Sequence, residues 1–346
     1  MPELPEGPLW ANIVAFLLAA AVIGWTGTGL AVLGDKLADR TGLGEAVVGS
    51  LFLGLTTALP GLAASITAAL QGHAALAISN AIGGIVIQTV FLAVADVVHK
   101  KANLEHAAAS ITNAIQTTIL VSLLALVLLG LNSPDVTLAH VHPMTPILFA
   151  AAGGGFWLVY RSSTEPMWLP RKTADTVLDV PEQVNVEASL GKLLAGFAIA
   201  AVVVTVAGAV VAHTTAQIAG ATGLSETVAG GLLSGVATSL PELVTTVAAV
   251  KRGALTLAVG DIVGGNFFDV LFVAAADLFF FQGSLYHAQG VGESEVFLTA
   301  LAILLNVTLL LGLLHRQRAG PGNIGFESVL MLTLYLGGYV ILSAFM

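Results

Sequence analysis

Three carboxylates stand where a carboxylate is expensive. Glu242, Asp261 and Asp269 each fall inside a long apolar run, and no Lys or Arg falls inside one. Ionisable groups within a membrane span are functional candidates by default. Fixed negative charge without fixed positive charge points to a cation as the bound species. Glu242 belongs to Ala-Thr-Ser-Leu-Pro-Glu-Leu, Ala237 to Leu243. Pro241 has no N–H and crowds the preceding turn, so the helix is expected to break there. Carbonyls freed by such a break can ligate a cation where the backbone lines a cavity. Thr238 and Ser239 precede Glu242 by four and three residues, which in a helix sets their hydroxyls beside the carboxylate. These are hard oxygen donors, suited to Ca²⁺ or Na⁺ and not to soft metals. Asp261 and Asp269 lie in Gly-Asp-Ile-Val-Gly-Gly-Asn-Phe-Phe-Asp, Gly260 to Asp269. Positions 261, 265 and 269 share a helix face, and Gly264 and Gly265 let that face approach a neighbouring helix closely. The plainer alternative is glycines for packing and acids paired with backbone. It weighs most on Asp261, which suits a supporting role as well as a ligand's.

The elements that hold these residues follow from composition. The chain has 346 residues, 56% hydrophobic and 10% charged, with a mean hydropathy of +0.92. Soluble domains carry about a quarter charged residues, and disordered chains are poor in apolar ones. A net charge of −9 offers no basic stripe for nucleic acid. The absence of cysteine removes disulfides, thiolate metal sites and cysteine nucleophiles. An all-α polytopic membrane protein is expected, with lipid bilayer and small inorganic cations as its partners. Continuous apolar runs argue against a barrel. Ten spans of about 20 residues are read at Leu9–Leu33, Ala46–Leu70, Ala74–Val98, Ala114–Leu131 and Met144–Tyr160, then Leu193–Val211, Thr227–Val250, Ala254–Phe279, Val296–Leu314 and Phe326–Phe345.

All twelve Lys and Arg follow odd-numbered spans in this reading. They therefore share one side, the cytoplasm by the positive-inside bias, and both termini lie outside. The acidic start MPELPEGP is unlike a signal peptide, so the first span is kept in the mature chain. Residues 161–192 read as a cytoplasmic linker between halves 1–160 and 193–346, too short to bury much of a core.

An internal repeat relates the halves. A shift of 181 residues aligns Thr41–Asp96 with Thr222–Asp277 without a gap, with 22 of 56 positions identical. An odd number of spans separates the copies, so the repeats are inverted, five helices in each half. Inverted repeats with broken helices meeting at the midplane are secondary-transporter architecture.

On Ala237–Leu243, Gly260–Asp269 and the paired repeats, the sequence resembles the cation/calcium exchanger superfamily, specifically its sodium/calcium exchanger type. The resemblance implies that Thr238, Ser239, Glu242 and Asp269 are ligands at a mid-membrane site built by spans 2, 3, 7 and 8. It also implies that spans 1 and 6 slide across that core. The first repeat departs from the family pattern. The glutamate of that repeat falls at Gly61, Thr57 and Pro60 survive, Gly-Ser-Asn becomes Gly83-Gly84-Ile85, and the last ligand position is Gln88. Asn80 keeps the family's asparagine while Asp261 replaces it in the second copy. Asp261 then restores the charge, or fewer Na⁺ bind, or the ion set differs.

The expected function is secondary antiport of Ca²⁺ against Na⁺, with no cofactor, in a prokaryotic plasma membrane. Alternatives are an H⁺-coupled or monovalent-cation antiporter, a non-transporting cation-binding homologue, and a channel. No HExxH, GxSxG or P-loop pattern is present, so no enzyme is expected. Glu45 and Glu226 read as helix-opening acids, Asp96 and Asp277 as structural acids at span ends, and His140 and His142 as loop residues.

Overall fold

A computed structural model describes residues 7–41, 54–99, 101–176, 189–320 and 324–345. Glu45, the first turns of the second expected span, Lys100 and the linker stretch containing Pro181 lie outside the described residues, as does the start of the acidic N-terminus. Among the described residues the regular structure is helical apart from one isolated bridge, Leu138 to Val141.

The helices are α1 (Leu9–Thr41), α2 (Leu59–Leu70, preceded by a helical turn at 54–57), α3 (Ala74–Val98), α4 (Ile111–Leu131), α5 (Met144–Thr164), α6 (Leu190–Thr222), α7a (Glu226–Thr238), α7b (Leu240–Arg252), α8 (Leu255–Phe279), α9 (Glu293–His315) and α10 (Phe326–Phe345). Seven are long and apolar enough to cross a membrane, and an eighth span results if α7a and α7b count as one. That pair bends by 47° at Ser239, just before Pro241, where a break was expected. The π-helical turn Ala229–Ser234 inside α7a was not foreseen. α1 and α6 each reach 33 residues, several turns longer than the apolar runs alone suggest.

α3 and α8 form the centre. α3 packs on α2, α7a, α7b, α9 and α10, while α8 packs on α2, α7b, α4 and α5. The long helices α1 and α6 lie against each other over α7b and α2 respectively. The close approaches recur at the 181-residue shift. A Cβ at Gly27 of α1 would overlap the Pro241 ring, and a Cβ at Gly208 of α6 would overlap the Pro60 carbonyl. Small residues are what let membrane helices meet backbone to backbone. Gly72 and Gly253, also 181 apart, end α2 and α7b at φ +88 and +87, a left-handed geometry open to glycine.

Asp96 and Asp277 behave as the structural acids they were expected to be. Both are fully buried. Asp277 accepts from the backbone N–H of His142 (2.9 Å) and Leu285 (2.9 Å) and from the Thr145 hydroxyl (2.6 Å). Asp96 accepts from the N–H of Leu104 (2.8 Å) and Gly325 (2.9 Å) and from the Ser328 hydroxyl (2.9 Å). Each carboxylate thus pins the end of a central helix to the start of α5 or α10. A buried backbone N–H left unpaired costs as much as a lost hydrogen bond, so the acids answer a local need. His142 is held in this same knot, its ring bonded to Ser133 and the Met144 N–H.

Candidate cation site

The bend in α7 brings the chemistry together. Pro241 leaves the Ala237 carbonyl without its usual helical donor. The chain turns at Ser239 (φ −95, ψ 7), and Glu242 sits in the first turn of α7b. Opposite, α3 and α8 cross the break with glycines at the contact. A Cβ at Gly84 would stand 3.2 Å from an Asp269 oxygen and 3.6 Å from the Ser239 hydroxyl.

A cavity of about 10 Å³ lies there, lined by Ala58, Gly61, Asn80, Gly84, Gln88, Thr238, Ser239, Glu242, Asp269 and Phe272. That is room for one water-sized body. Glu242 and Asp269 are buried, at 1% and 3% exposure. Gln88 donates its Nε2 to Asp269 Oδ2 at 2.6 Å and to Ser239 Oγ at 3.0 Å. Among the described residues, Glu242 Oε2 and Gln88 Oε1 have no hydrogen-bond partner. A buried carboxylate oxygen without a donor is costly, and a hard cation is the group that would satisfy it. The Thr57 hydroxyl, in the helical turn before α2, donates to the Gly54 carbonyl at 3.1 Å and stands near Glu242.

Of the eight residues singled out from the sequence, six line this cavity: Asn80, Gln88, Thr238, Ser239, Glu242 and Asp269. Thr57 stands near Glu242 but off the lining. Asp261 is the exception. It is buried but off the lining, and its Oδ2 accepts the Thr245 hydroxyl at 2.8 Å. Its counterpart in the first repeat, Asn80, donates to the Gly61 carbonyl (3.0 Å) and Ser65 (2.9 Å) and accepts from Ser234 (2.5 Å). The Thr238 hydroxyl turns back onto the Ser234 carbonyl at 3.0 Å, as helical threonines commonly do.

Phe272 and Ala58 were not anticipated, while Gly84 was noted only as a departure in the first repeat. Gly84 and Ala58 were legible as the counterparts of Gly265 and Ser239 at the repeat shift. Phe272 carried no polar signal. The two halves of the site are unequal, since Gly61, Ala58 and Gln88 stand where the second copy has Glu242, Ser239 and Asp269.

The comparisons with known proteins decide the family. A sequence profile described as sodium/calcium exchanger protein matches residues 11–159 and 192–344. The chain belongs to that family. The members are membrane-bound secondary transporters, not enzymes, and this exchanger is accordingly an integral membrane protein. It is 25% identical over 313 residues to the candidate antiporter CaxA of Alkalimonas amylolytica, covering 89% of this chain and 93% of that one. It is 29% identical over 120 residues to the sodium/calcium exchanger MaX1 of Methanosarcina acetivorans, covering 35% of this chain and 32% of that one. Its fold is similar to that of the sodium-calcium exchanger NCX_Mj, with TM-score 0.63, 17% identity, and 98% and 100% of the two chains covered. It is also similar to that of the H⁺/Ca²⁺ exchanger CAX, with TM-score 0.71, 12% identity, and 96% and 85% covered.

Proposed function

We propose that this exchanger moves Ca²⁺ against Na⁺ by alternating access at the cavity between α2, α3, α7 and α8. The observation that carries the reading is the pair of buried carboxylates, Glu242 and Asp269, on one cavity where Glu242 Oε2 and Gln88 Oε1 have no hydrogen-bond partner among the described residues. Thr238, Ser239 and Gln88 complete a set of hard oxygens, with Thr57 and Asn80 orienting the wall and Asp261 standing behind it. The substrate is the cation itself, and no resident cofactor enters.

In this account ten spans form two inverted halves, residues 1–160 and 193–346, joined by a cytoplasmic linker at 161–192, with both termini outside. The one-sided placement of twelve basic residues and the contacts that recur at the 181-residue shift support it. α2 is shorter than a full span as described, and α5 carries too little apolar character to be counted on hydropathy alone. α1 and α6, each packed on the other half's proline break, are the elements placed to slide. The membrane would be a prokaryotic plasma membrane.

Uptake of ⁴⁵Ca²⁺ into proteoliposomes tests the coupling. Vesicles loaded with Na⁺ should accumulate Ca²⁺, and vesicles loaded with choline should not. Uptake that follows an imposed pH gradient and ignores Na⁺ would replace sodium by proton coupling. No uptake under either gradient would refute calcium antiport.

A further inference from the structure

The two repeats supply unequal halves of the site, and the inequality has an electrical meaning. Resting on the antiport reading above, we propose that the Gln88 amide and the Phe272 ring close the first-repeat half of the cavity to ions, so that each loaded state carries two positive charges and exchange is electroneutral.

Among the described residues, the two carboxylates lining the cavity are Glu242 and Asp269, and their counterparts are Gly61 and Gln88. At Gly61 a side chain has nowhere to go. A Cβ there would stand 2.9 Å from Cε2 of Phe272 and 3.6 Å from its Cδ2. The ring occupies the direction in which a carboxylate mirroring Glu242 would extend. An aromatic ring in that place offers a face and no anionic oxygen.

At Gln88 the closure is polar. Its Nε2 donates to Asp269 Oδ2 (2.6 Å) and Ser239 Oγ (3.0 Å). Those are two hard oxygens converging on one point, which a small cation would otherwise share. The amide answers them with N–H donors and carries no net charge. Its Oε1 lies 3.1 Å from a Cβ position on Gly265 that is also 4.0 Å from Glu242 Cγ, so the neutral end faces the Glu242 corner. What remains is one compact corner with two carboxylates.

Uncompensated charge in a low-dielectric site is costly. The load therefore matches two negative charges: one divalent cation in one state, two monovalent charges in the other. A proton on either carboxylate counts as one of the two. Asp261 lies off the cavity, so its charge is the same in both states and does not enter the difference.

The test uses the full chain in proteoliposomes, with ⁴⁵Ca²⁺ and the membrane potential clamped by K⁺ and valinomycin. The steady-state Ca²⁺ ratio should be the same at 0 and −100 mV. One uncompensated charge per cycle would change it about fiftyfold per 100 mV. A shift of that size, with transport intact, overturns electroneutrality and leaves the antiport reading standing. Absence of Ca²⁺ flux under Na⁺ and pH gradients alike overturns both. The double variant Gly61→Glu with Phe272→Ala replaces the ring by a third carboxylate. Folded by size exclusion and still transporting, it should become potential-sensitive. If it keeps the wild-type indifference, Gly61 and Phe272 do not set the charge.

Discussion

Removing the Asp277 carboxylate should unlock the C-terminal end of α8, and the structure sets the size of the effect. Three donors converge on it: the N–H groups of His142 and Leu285 and the Thr145 hydroxyl, at 2.9, 2.9 and 2.6 Å. The residue has no exposed surface, so water cannot take over in place. A hydrogen bond to a charged group contributes about 1.5–3 kcal/mol, and a stranded buried donor costs about 1–3 kcal/mol. The losses overlap, because partners around one group are not independent. Asp277→Ala should therefore cost roughly 4 kcal/mol. At roughly 2 °C per kcal/mol for a chain this long, the loss is about 8 °C in Tm. Asp96→Ala should cost the same, since Asp96 holds a matching trio in Leu104, Gly325 and Ser328 at 2.8, 2.9 and 2.9 Å. The assay is thermal unfolding of purified protein in detergent, followed by size exclusion of the soluble fraction. Melting of either variant within about 1 °C of wild type would show that these acids do not pin the helix ends.

Two further predictions concern pH and motion. Burial, with the carboxylates of Glu327 and Asp96 nearby, holds the Glu105 carboxyl well above the usual carboxylate range. A carboxyl raised in the folded state contributes stability fully below its unfolded value, and loses it as pH rises through the folded value. Unfolding free energy, and Tm with it, should thus fall as pH rises above the ordinary carboxylate range, the free energy by up to about 1.4 kcal/mol per pH unit from this group. Glu105→Gln should flatten the profile; an unchanged slope would locate the titration elsewhere. At the contact of α6 with α2, Gly208→Val presses a side chain onto the Pro60 carbonyl, an overpacking worth about 1–3 kcal/mol. Ca²⁺ flux should fall at least about tenfold with Ca²⁺ binding retained. Gly220→Ala, which meets nothing within 4 Å, should alter neither; equal flux in both variants would remove α6 from the transport step.

Much of this site was written locally. Pro241 marks its own break, because a missing N–H acts on the helix that contains it. Asp269 and Gly265 share a face through simple helical spacing, and the 181-residue shift pairs Gln88 with Asp269 before any contact is known. What escaped notice depends on partners distant in sequence. Phe272 fills space beside Gly61, more than 200 residues away in the chain, and nothing in either segment announces the other. Ser234, the last residue of a π-helical turn in α7a, donates to Asn80 on a helix more than 150 residues away. Asp261 was read as a possible ligand from its face on α8, yet Thr245 on the neighbouring helix draws it off the cavity. The length of α1 and α6 also went unread, since polar residues after an apolar run continue a helix when tertiary contacts support it.

The account stands on Glu242 and Asp269 holding the cation. The direct measurement is equilibrium ⁴⁵Ca²⁺ binding to the purified protein, wild type against Glu242→Gln, with Glu295→Gln as control. Glu295 is equally buried but is tied to Thr227 and the Gly292 N–H, away from the cavity. The account predicts that Glu242→Gln weakens binding at least about a hundredfold, the loss of one buried charge partner. It predicts that Glu295→Gln binds within about threefold of wild type, as a group that touches no ligand should. Wild-type affinity in Glu242→Gln would contradict the central claim and send the search for the cation to another part of the fold.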